Sequence, residues 1–214
     1  IDRRIPHNVH DLWEGKWNKG EYSKADGIYG KTLGIIGVGT IGSEVIKRAK
    51  SFGMKIIAWS RSLTPEAAEF MGIRYCDSPR AAAANADVVS VHLALNDETR
   101  NFIDGKFFEV MKNGAYFINT SRSQVVDEQA LIKATEEKGI RAGLDVIADE
   151  PSGKSGEYNG PLNTCRSIYV THHIGASTDQ AQQAVADEAL NILNAYRTTG
   201  KVTNCVNLME KTPA

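Results

Sequence analysis

Three glycines with a fixed spacing follow an apolar run near the start of the chain. Leu33 to Ile36 lead directly into Gly37-x-Gly39-x-x-Gly42, and a helical pattern comes next. In such a strand–turn–helix unit, the first glycine permits a tight turn, the second leaves room for a pyrophosphate, and the third lets helix and strand pack closely. The helix would offer N–H groups and its positive dipole end to the phosphates. The motif predicts dinucleotide binding, and the alternative is a glycine-rich turn with no ligand.

The end of the second predicted strand bears on the choice between NAD and NADP. An acidic residue there usually accepts hydrogen bonds from the ribose 2′-hydroxyl, whereas arginine accommodates a 2′-phosphate. Here the strand that begins at Lys55 ends in Ser60 and Arg61. A hydroxyl and a guanidinium suit a phosphate, but serine also suits a 2′-hydroxyl, and Arg61 could instead stack on the adenine or face solvent. The pair therefore favours NADP slightly over NAD.

Three later motifs each put a chemically active side chain just beyond a predicted strand. Arg122 follows the run INTS, Glu150 the run GLDVIAD, and His173 the run VTH. Open α/β sheets bind ligands at the carboxyl ends of their strands. A guanidinium, a carboxylate and an imidazole beside a dinucleotide suit oxidoreduction of a substrate that carries a carboxylate. Taken singly, they could be a surface ion-pair partner, a loop carboxylate and a core histidine, and the adjacent His172 is a second candidate imidazole.

With these motifs the chain resembles the D-isomer-specific 2-hydroxyacid dehydrogenase family over residues 5–206. The resemblance implies that Arg122 clamps the substrate carboxylate and polarises the reacting carbonyl. His173 would be the general acid/base that accepts the hydroxyl proton as hydride leaves for the nicotinamide. Glu150 would hydrogen-bond this histidine and fix its tautomer. The family commonly has proline in place of His172 and glycine in place of Ser123.

The resemblance also implies a set of cofactor contacts. Thr40 and Ile41 would lie over the pyrophosphate, and Asp145 would lie on the nicotinamide side. The full set is Gly37, Gly39, Thr40, Ile41, Gly42, Ser60, Arg61, His92, Leu93, Thr99, Thr120, Ser121, Arg122, Asp145, His173, Gly175 and Ala176.

Three stretches resemble one group of members within the family. The arm IPHNVHDLWEGKWNK, the stretch THHIGAST and the end Asn204-Cys-Val-Asn207 are most similar to members that convert 3-phosphoglycerate to 3-phosphohydroxypyruvate in serine biosynthesis. The expected enzyme is thus an NAD(P)-dependent dehydrogenase that acts on a CH–OH group. The alternatives are a glyoxylate or hydroxypyruvate reductase, a non-catalytic NAD(H)-sensing domain of the corepressor type, and a bare nucleotide-binding module. A short-chain dehydrogenase is excluded, because none of the seven tyrosines has a lysine four residues later.

Short apolar runs alternate with helical segments from Thr32 onward, and most runs are continuously apolar, as in strands covered on both faces. This alternation predicts an α/β fold: a Rossmann-type doubly wound parallel sheet of about seven strands, with helices on both faces. Ser78 and Asp127 are expected helix N-caps, and Gly53 and Gly139 are expected helix stops. The predicted strands are 32–37, 55–60, 73–76, 88–93, 115–120, 140–146 and 168–172, and the predicted helices are 42–52, 65–71, 79–86, 105–111, 128–138 and 178–196.

These elements predict one dinucleotide-binding domain over residues 1–176, with an irregular arm over residues 1–30. Residues 177–214 would form a crossover helix and tail that return to a substrate lobe, and that lobe is missing from the chain. We therefore expect the chain to bind dinucleotide but to oxidise hydroxyacids poorly by itself. Trp13 and Trp17 in the arm are expected to contact a second copy in a homodimer, or else to cover the domain's own sheet edge.

Composition narrows the classes of partner. The 214-residue chain has a net charge of −1 and no basic cluster, which argues against nucleic acid or an anionic membrane as a partner. Its three cysteines are scattered without a CxxC spacing, so neither a zinc site nor a disulfide framework is expected. Scattered thiols and the absence of a signal-peptide pattern predict a cytoplasmic protein whose partner is a small molecule.

Overall fold

A computed structural model describes residues 1–153 and 155–205 of the chain. The chain divides into two compact units, Ile1–His172 and a second that begins at His173. Val206 and Asn207, at the end of the family resemblance, lie outside the described residues.

The first unit is built on a parallel sheet of seven strands, as the alternation of elements predicts. The strand order is β3-β2-β1-β4-β5-β6-β7, so the chain reverses its direction of winding between β1 and β4. This junction is the topological switch point, where open α/β sheets bind ligands. The strands are β1 (Thr32–Ile36), β2 (Lys55–Trp59), β3 (Arg74–Tyr75), β4 (Val88–Val91), β5 (Tyr116–Asn119), β6 (Arg141–Leu144) and β7 (Ile168–Val170).

The central strands are apolar throughout because helices cover both faces of the sheet. Ile35 and Ile36 are neighbours in β1, point to opposite faces, and are both fully buried. Each belongs to a different apolar cluster: Ile36 packs with Phe107 and Phe117, and Ile35 packs with Ile46. Burial of each such side chain contributes about 1.5–3 kcal/mol.

The helices begin and end where local side-chain chemistry predicts. Ser78 and Asp127 accept hydrogen bonds from Ala81 N–H and Ala130 N–H, respectively, which caps two helix N-termini. Gly139 ends a helix with a φ of +65°. The helices from residue 40 onward are α3 (Thr40–Ser51), α4 (Pro65–Phe70), α5 (Pro79–Asn85), α6 (Gly105–Val110), α7 (Glu128–Lys138) and α8 (Asp179–Thr199).

The expectation of an irregular arm over residues 1–30 is wrong, because this segment contains helices α1 (Ile5–Trp13) and α2 (Lys19–Tyr22). Pro6 lies in the first turn of α1, where its missing N–H costs nothing and its fixed φ favours the helix. Asn18 caps α2 by accepting a hydrogen bond from Glu21 N–H at 3.4 Å. Ile5, Val9 and Leu12 recur at helical spacing, so the sequence does carry a helical period that this expectation overlooked.

A polar cluster anchors the arm to the amino ends of β5 and β6. The Tyr116 hydroxyl donates to Asp2 Oδ1 at 2.7 Å and accepts from Arg141 Nη2 at 2.9 Å. Asp2 also accepts the N–H groups of Asp26 and Gly27, both at 3.1 Å. Burial and the hydrogen bond to Asp2 raise the pKa of Tyr116 to about 12. Desolvation opposes a fall in the pKa of Asp2, but the hydrogen bonds from Tyr116 and the two N–H groups lower it.

The second unit contains α8, whose first turn is capped by Thr178 Oγ1 accepting from Ala181 N–H at 3.1 Å. Val185, Leu190, Leu193 and Tyr196 on this helix are 58–69% exposed. Within residues 1–153 and 155–205, no helix has both the length and the apolar character needed to cross a bilayer.

Replacing Tyr116 with Phe should lower the free energy of unfolding by about 1–2 kcal/mol at neutral pH, because Asp2 and Arg141 each lose a hydrogen bond. Since the folded pKa of Tyr116 is raised from 10.0 to about 12, its contribution is complete below pH 10 and is lost as the pH rises towards 12. Denaturant unfolding of the two proteins from pH 7 to 12 measures this difference. Tyr29→Phe, at an exposed ring, is the control, and a difference that stays constant to pH 12 would contradict the assignment.

Candidate functional site

A cleft of about 540 Å³ opens at the switch point of the sheet, and we call it the switch-point cleft. It lies where the carboxyl ends of β1, β4 and β5 meet the start of α3. Of its ten lining residues, eight belong to the predicted cofactor set, and the sequence analysis missed the other two, Ala94 and Leu95. The lining residues are Gly39, Thr40, Ile41, His92, Leu93, Ala94, Leu95, Thr120, Ser121 and Arg122.

The three glycines of the motif take the roles that their spacing predicts. Gly37 has a φ of +100°, and a Cβ there would lie 2.6 Å from the carbonyl oxygen of His92. A Cβ on Gly42 would lie 2.2 Å from the carbonyl oxygen of Gly37, so helix and turn are in direct backbone contact. Gly39 differs from both, because a Cβ there would meet no atom within 4 Å. The middle glycine therefore leaves open space at the cleft wall.

Helix α3 begins at Thr40, two residues earlier than the predicted start at Gly42. Gly39 is its N-cap, and no side chain caps its N-terminus. The N–H groups of the first turn are thus available to an anion at the cleft, where the helix dipole is positive. The predicted start was too late because the glycines of the motif were assigned to the turn.

Asn119, at the end of β5, fixes the turn that carries Arg122. Its side chain is buried; Oδ1 accepts hydrogen bonds from Ser121 N–H at 3.0 Å and from Ser121 Oγ at 2.7 Å, while Nδ2 donates to the Arg122 carbonyl at 2.9 Å. The Arg122 guanidinium is exposed and donates to the Ser121 carbonyl at 2.7 Å. The sequence analysis missed Asn119, although a polar residue at the end of an apolar strand is a signal for such a role.

His92, which lines the cleft and is partly buried, pairs with the buried Ser90. His92 Nε2 and Ser90 Oγ share a hydrogen bond of 3.0 Å. Burial lowers the pKa of His92, which favours the neutral imidazole at pH 7. Within the part of the chain that the structure describes, the other lining residues are uncharged, so Arg122 supplies the charge of the cleft wall. An anionic ligand would meet a cation and backbone N–H groups there.

Ser60 and Arg61 follow β2, as predicted, but neither lines the switch-point cleft. Arg61 Nη1 lies 2.6 Å from Glu98 Oε2, and the two side chains are 80% and 74% exposed. Thr99, another predicted cofactor contact, also lies outside the cleft lining. Its hydroxyl donates to the Ala94 carbonyl at 2.7 Å and accepts from Asn96 N–H at 2.8 Å, so it closes the loop after β4.

Asp145 follows β6 and is 8% exposed. Its Oδ1 accepts a hydrogen bond from the Thr171 hydroxyl, and its N–H donates to the Asn119 carbonyl at 3.1 Å. The ends of β5, β6 and β7 are therefore linked by polar contacts. The role of Asp145 beside a nicotinamide remains a prediction.

Glu150 lines a second cleft of about 700 Å³ rather than the switch-point cleft. Its segment is anchored by Glu128, whose Oε2 accepts the Ala148 N–H at 2.9 Å, and the neighbouring Asp149 has a left-handed backbone with a φ of +54°. Burial raises the pKa of Glu128. The sequence analysis missed this anchoring role of Glu128.

His173 begins the second unit and has a φ of +53°, a conformation that non-glycine residues rarely adopt. Gly175 and Ala176 follow it, and Ser177 N–H donates to the Ile174 carbonyl at 2.9 Å, which forms a turn before α8. Arg122 and Glu150 lie in the first unit, so the convergence of these two side chains with His173 stays a prediction.

Within the described parts of the chain, no group of three or more His, Cys, Asp or Glu side chains could hold a metal ion. The polar groups that line the switch-point cleft are instead a guanidinium, an imidazole, hydroxyls and helix N–H groups. These suit the binding of an anionic organic ligand at the switch point.

Several proteins with known names are similar to this chain, some in sequence and some in structure. The chain is 38% identical over 196 residues to "D-3-phosphoglycerate dehydrogenase" of Methanocaldococcus jannaschii, covering 89% of this chain and 36% of the relative. It is 39% identical over 214 residues to "Glyoxylate reductase" of Thermococcus litoralis, covering 97% and 63%. The structure of D-lactate dehydrogenase with NAD+ from Lactobacillus jensenii superposes with a TM-score of 0.82 at 29% identity, covering 96% and 65%.

The chain thus spans between about a third and two thirds of the length of these relatives. Its residues 1–175 match the family model "D-isomer specific 2-hydroxyacid dehydrogenase, NAD binding domain". This match confirms the resemblance and the Rossmann-type fold predicted from the sequence. The chain belongs to the D-isomer specific 2-hydroxyacid dehydrogenase family and corresponds to its NAD-binding domain.

Proposed function

We propose that the chain binds a nicotinamide dinucleotide in the switch-point cleft and serves hydride transfer to and from a D-2-hydroxyacid. The observation that carries the proposal is the meeting of the glycine turn, the start of α3 and Arg122 in one cleft. When bound, the nicotinamide supplies the redox chemistry, and the protein supplies orientation and electrostatics.

The residues of the cleft fit such a cofactor. The open space at Gly39 admits a pyrophosphate close to the backbone, and the uncapped N–H groups of α3 can donate to it. Thr40 and Ile41 would lie over the phosphates, and Thr120 and Ser121 would contact the nicotinamide half, with Asp145 nearby. No carboxylate is among the residues that line the cleft, so the pyrophosphate meets no direct repulsion there.

Three side chains would carry the reaction. Arg122 would bind the substrate carboxylate with its planar fork and polarise the carbonyl. His173 would accept the hydroxyl proton during oxidation and return it during reduction. Glu150 would hydrogen-bond His173 and fix its tautomer. The anchoring of the Glu150 segment by Glu128 supports this assignment, because a positioning carboxylate needs a fixed backbone.

The proposed substrate is 3-phosphoglycerate, oxidised to 3-phosphohydroxypyruvate in serine biosynthesis. The relative from Methanocaldococcus jannaschii, named for this activity, supports it. A glyoxylate or hydroxypyruvate reductase is the second candidate, favoured by the relative from Thermococcus litoralis. For the cofactor, Ser60 and Arg61 favour NADP slightly over NAD. The cytoplasmic location expected from the cysteines belongs to the same proposal.

Self-association through the nucleotide-binding domain is part of the proposal. Trp13 and Trp17 are 82% and 79% exposed, and Ile5 and Leu12 on α1 are 55% and 51% exposed. The rings therefore do not cover the domain's own sheet edge. An exposed apolar surface of this kind is typical of an interaction site, and a second copy is the partner we propose.

Gly39→Ala should weaken NADH binding at least about tenfold, because the added methyl fills the open space at the cleft, and it should lower the free energy of unfolding by at most about 1 kcal/mol, because alanine is a poorer helix N-cap than glycine. Gly42→Ala should instead lower the free energy of unfolding by about 1–3 kcal/mol, since its Cβ would clash with the Gly37 carbonyl. Fluorescence titration and denaturant unfolding measure the two effects. Gly105→Ala is the control for both. Tight NADH binding by Gly39→Ala would place the pyrophosphate elsewhere.

In the complete gene product, His173→Gln should lower kcat at least about a hundredfold, since the general acid/base is lost. The dissociation constant of NADH should change less than about threefold. Reduction of 3-phosphohydroxypyruvate, hydroxypyruvate and glyoxylate by NADH is the assay, and His172→Gln is the matched control. Loss of turnover in the control alone would identify His172 as the acid/base. Unchanged turnover in both variants would contradict the role of His173, and an absence of turnover in the wild type would favour the non-catalytic sensing domain.

Replacing Trp13 and Trp17 together with Ser should shift the chain from dimer to monomer in sedimentation velocity at micromolar concentration, because the exposed aromatic surface is lost. Phe70→Ser removes a ring that is 94% exposed elsewhere on the domain and should leave the dimer intact. A wild-type chain that sediments as a monomer would contradict the proposed interface.

A further inference from the structure

The cation at the end of β2 already has a partner of opposite charge. Arg61 Nη1 lies 2.6 Å from Glu98 Oε2, although the two residues are 37 positions apart in the sequence. Both side chains are largely exposed, so the pair sits in high dielectric and is readily exchanged for another partner. The end of β2 therefore presents a neutral ion pair rather than a bare guanidinium.

The loop that carries Glu98 is held in place by two independent contacts. Asn96 and Thr99 cap each other: Asn96 N–H donates to Thr99 Oγ1 at 2.8 Å, and Thr99 N–H donates to Asn96 Oδ1 at 3.0 Å. Beyond the loop, the Phe102 ring stacks on the Trp59 ring at the end of β2, with centroids 5.4 Å apart and planes at 21°. The hydrogen bonds fix the shape of the loop and the ring stack ties it to β2, so Glu98 stays within reach of Arg61.

The same loop begins at the wall of the switch-point cleft, where Leu93 and Leu95 lie. A dinucleotide that follows the glycine motif puts its adenosine ribose at the end of β2, about 20 residues beyond the motif. A 2′-hydroxyl is neutral there, whereas a 2′-phosphate brings about two negative charges. Arg61 would attract the phosphate, and the Glu98 carboxylate would both compete for the guanidinium and repel the phosphate.

We propose that Glu98 is a specificity-determining residue that restrains binding of 2′-phosphorylated dinucleotides at the end of β2. With Glu98 present, the attraction exerted by Arg61 is largely cancelled, and the domain accepts both NADH and NADPH. Without it, the guanidinium favours NADPH. This inference rests on the proposed binding of a dinucleotide in the switch-point cleft.

The test is titration of the 214-residue chain with NADH and with NADPH, in which the fluorescence of the reduced nicotinamide reports binding. Glu98→Gln should raise the affinity for NADPH about threefold to fivefold and change that for NADH less than about twofold, a size typical of exposed ion pairs. Arg61→Ala should lower the affinity for NADPH. In the Arg61→Ala background, Glu98→Gln should have a smaller effect, because only the direct repulsion of the phosphate remains.

Asp97→Asn is the matched control, because it removes the same formal charge from an exposed position in the same loop. It should change the ratio of the two affinities less than Glu98→Gln does, and 0.5 M salt should shrink the effect of Glu98→Gln. An unchanged ratio in Glu98→Gln, or an equal change in Asp97→Asn, would overturn the role of Glu98 while leaving dinucleotide binding intact. Failure of the wild-type chain to bind either dinucleotide would overturn both proposals.

Discussion

The architecture of the site depends on one close approach between backbones, that of Gly37 and Gly42. A Cβ on Gly42 would lie 2.2 Å from the Gly37 carbonyl oxygen, so no side chain fits between the turn and the first turn of α3. Gly37 also donates its N–H to the Trp59 carbonyl at 2.8 Å and packs against the His92 carbonyl. One glycine thus joins the ends of β1, β2 and β4. Because these contacts fix where α3 starts, they also fix the direction in which its N–H groups face the cleft.

On the other side of the switch point, buried polar side chains hold the turns in place, as glycines do at β1. Asn119 uses both its oxygen and its nitrogen to hold the turn from Thr120 to Arg122. Asp145 accepts from Thr171 and thereby links the ends of β6 and β7. A buried amide or carboxylate left without partners would be costly, so these hydrogen bonds hold the strand ends in one arrangement. The exposed Arg122 guanidinium is therefore mounted on a rigid base, as ligand recognition requires.

Charge is distributed sparingly around the cleft. Among the described residues that line it, only Arg122 is charged, and partial burial lowers the pKa of His92. The cation at the end of β2 is balanced by Glu98. This arrangement concentrates attraction for anions at the α3 N-terminus and at Arg122, and it leaves the end of β2 close to neutral. Under the proposed function, recognition of the phosphates and selection among dinucleotides would be carried out by separate groups of residues.

The sequence by itself determined the elements and the family. Continuous apolar runs such as Val88 to Val91 predict buried parallel strands, and the glycine spacing predicts the turn at β1, because both signals are local. Helix α1 has a local signal too, because Ile5, Val9 and Leu12 recur at helical spacing, but the segment was assigned to an irregular arm. Pairings such as Arg61 with Glu98 and Tyr116 with Asp2 were decided by the tertiary structure alone. They join residues far apart in the chain, and no local rule of propensity or spacing specifies which distant side chain will lie within hydrogen-bond reach.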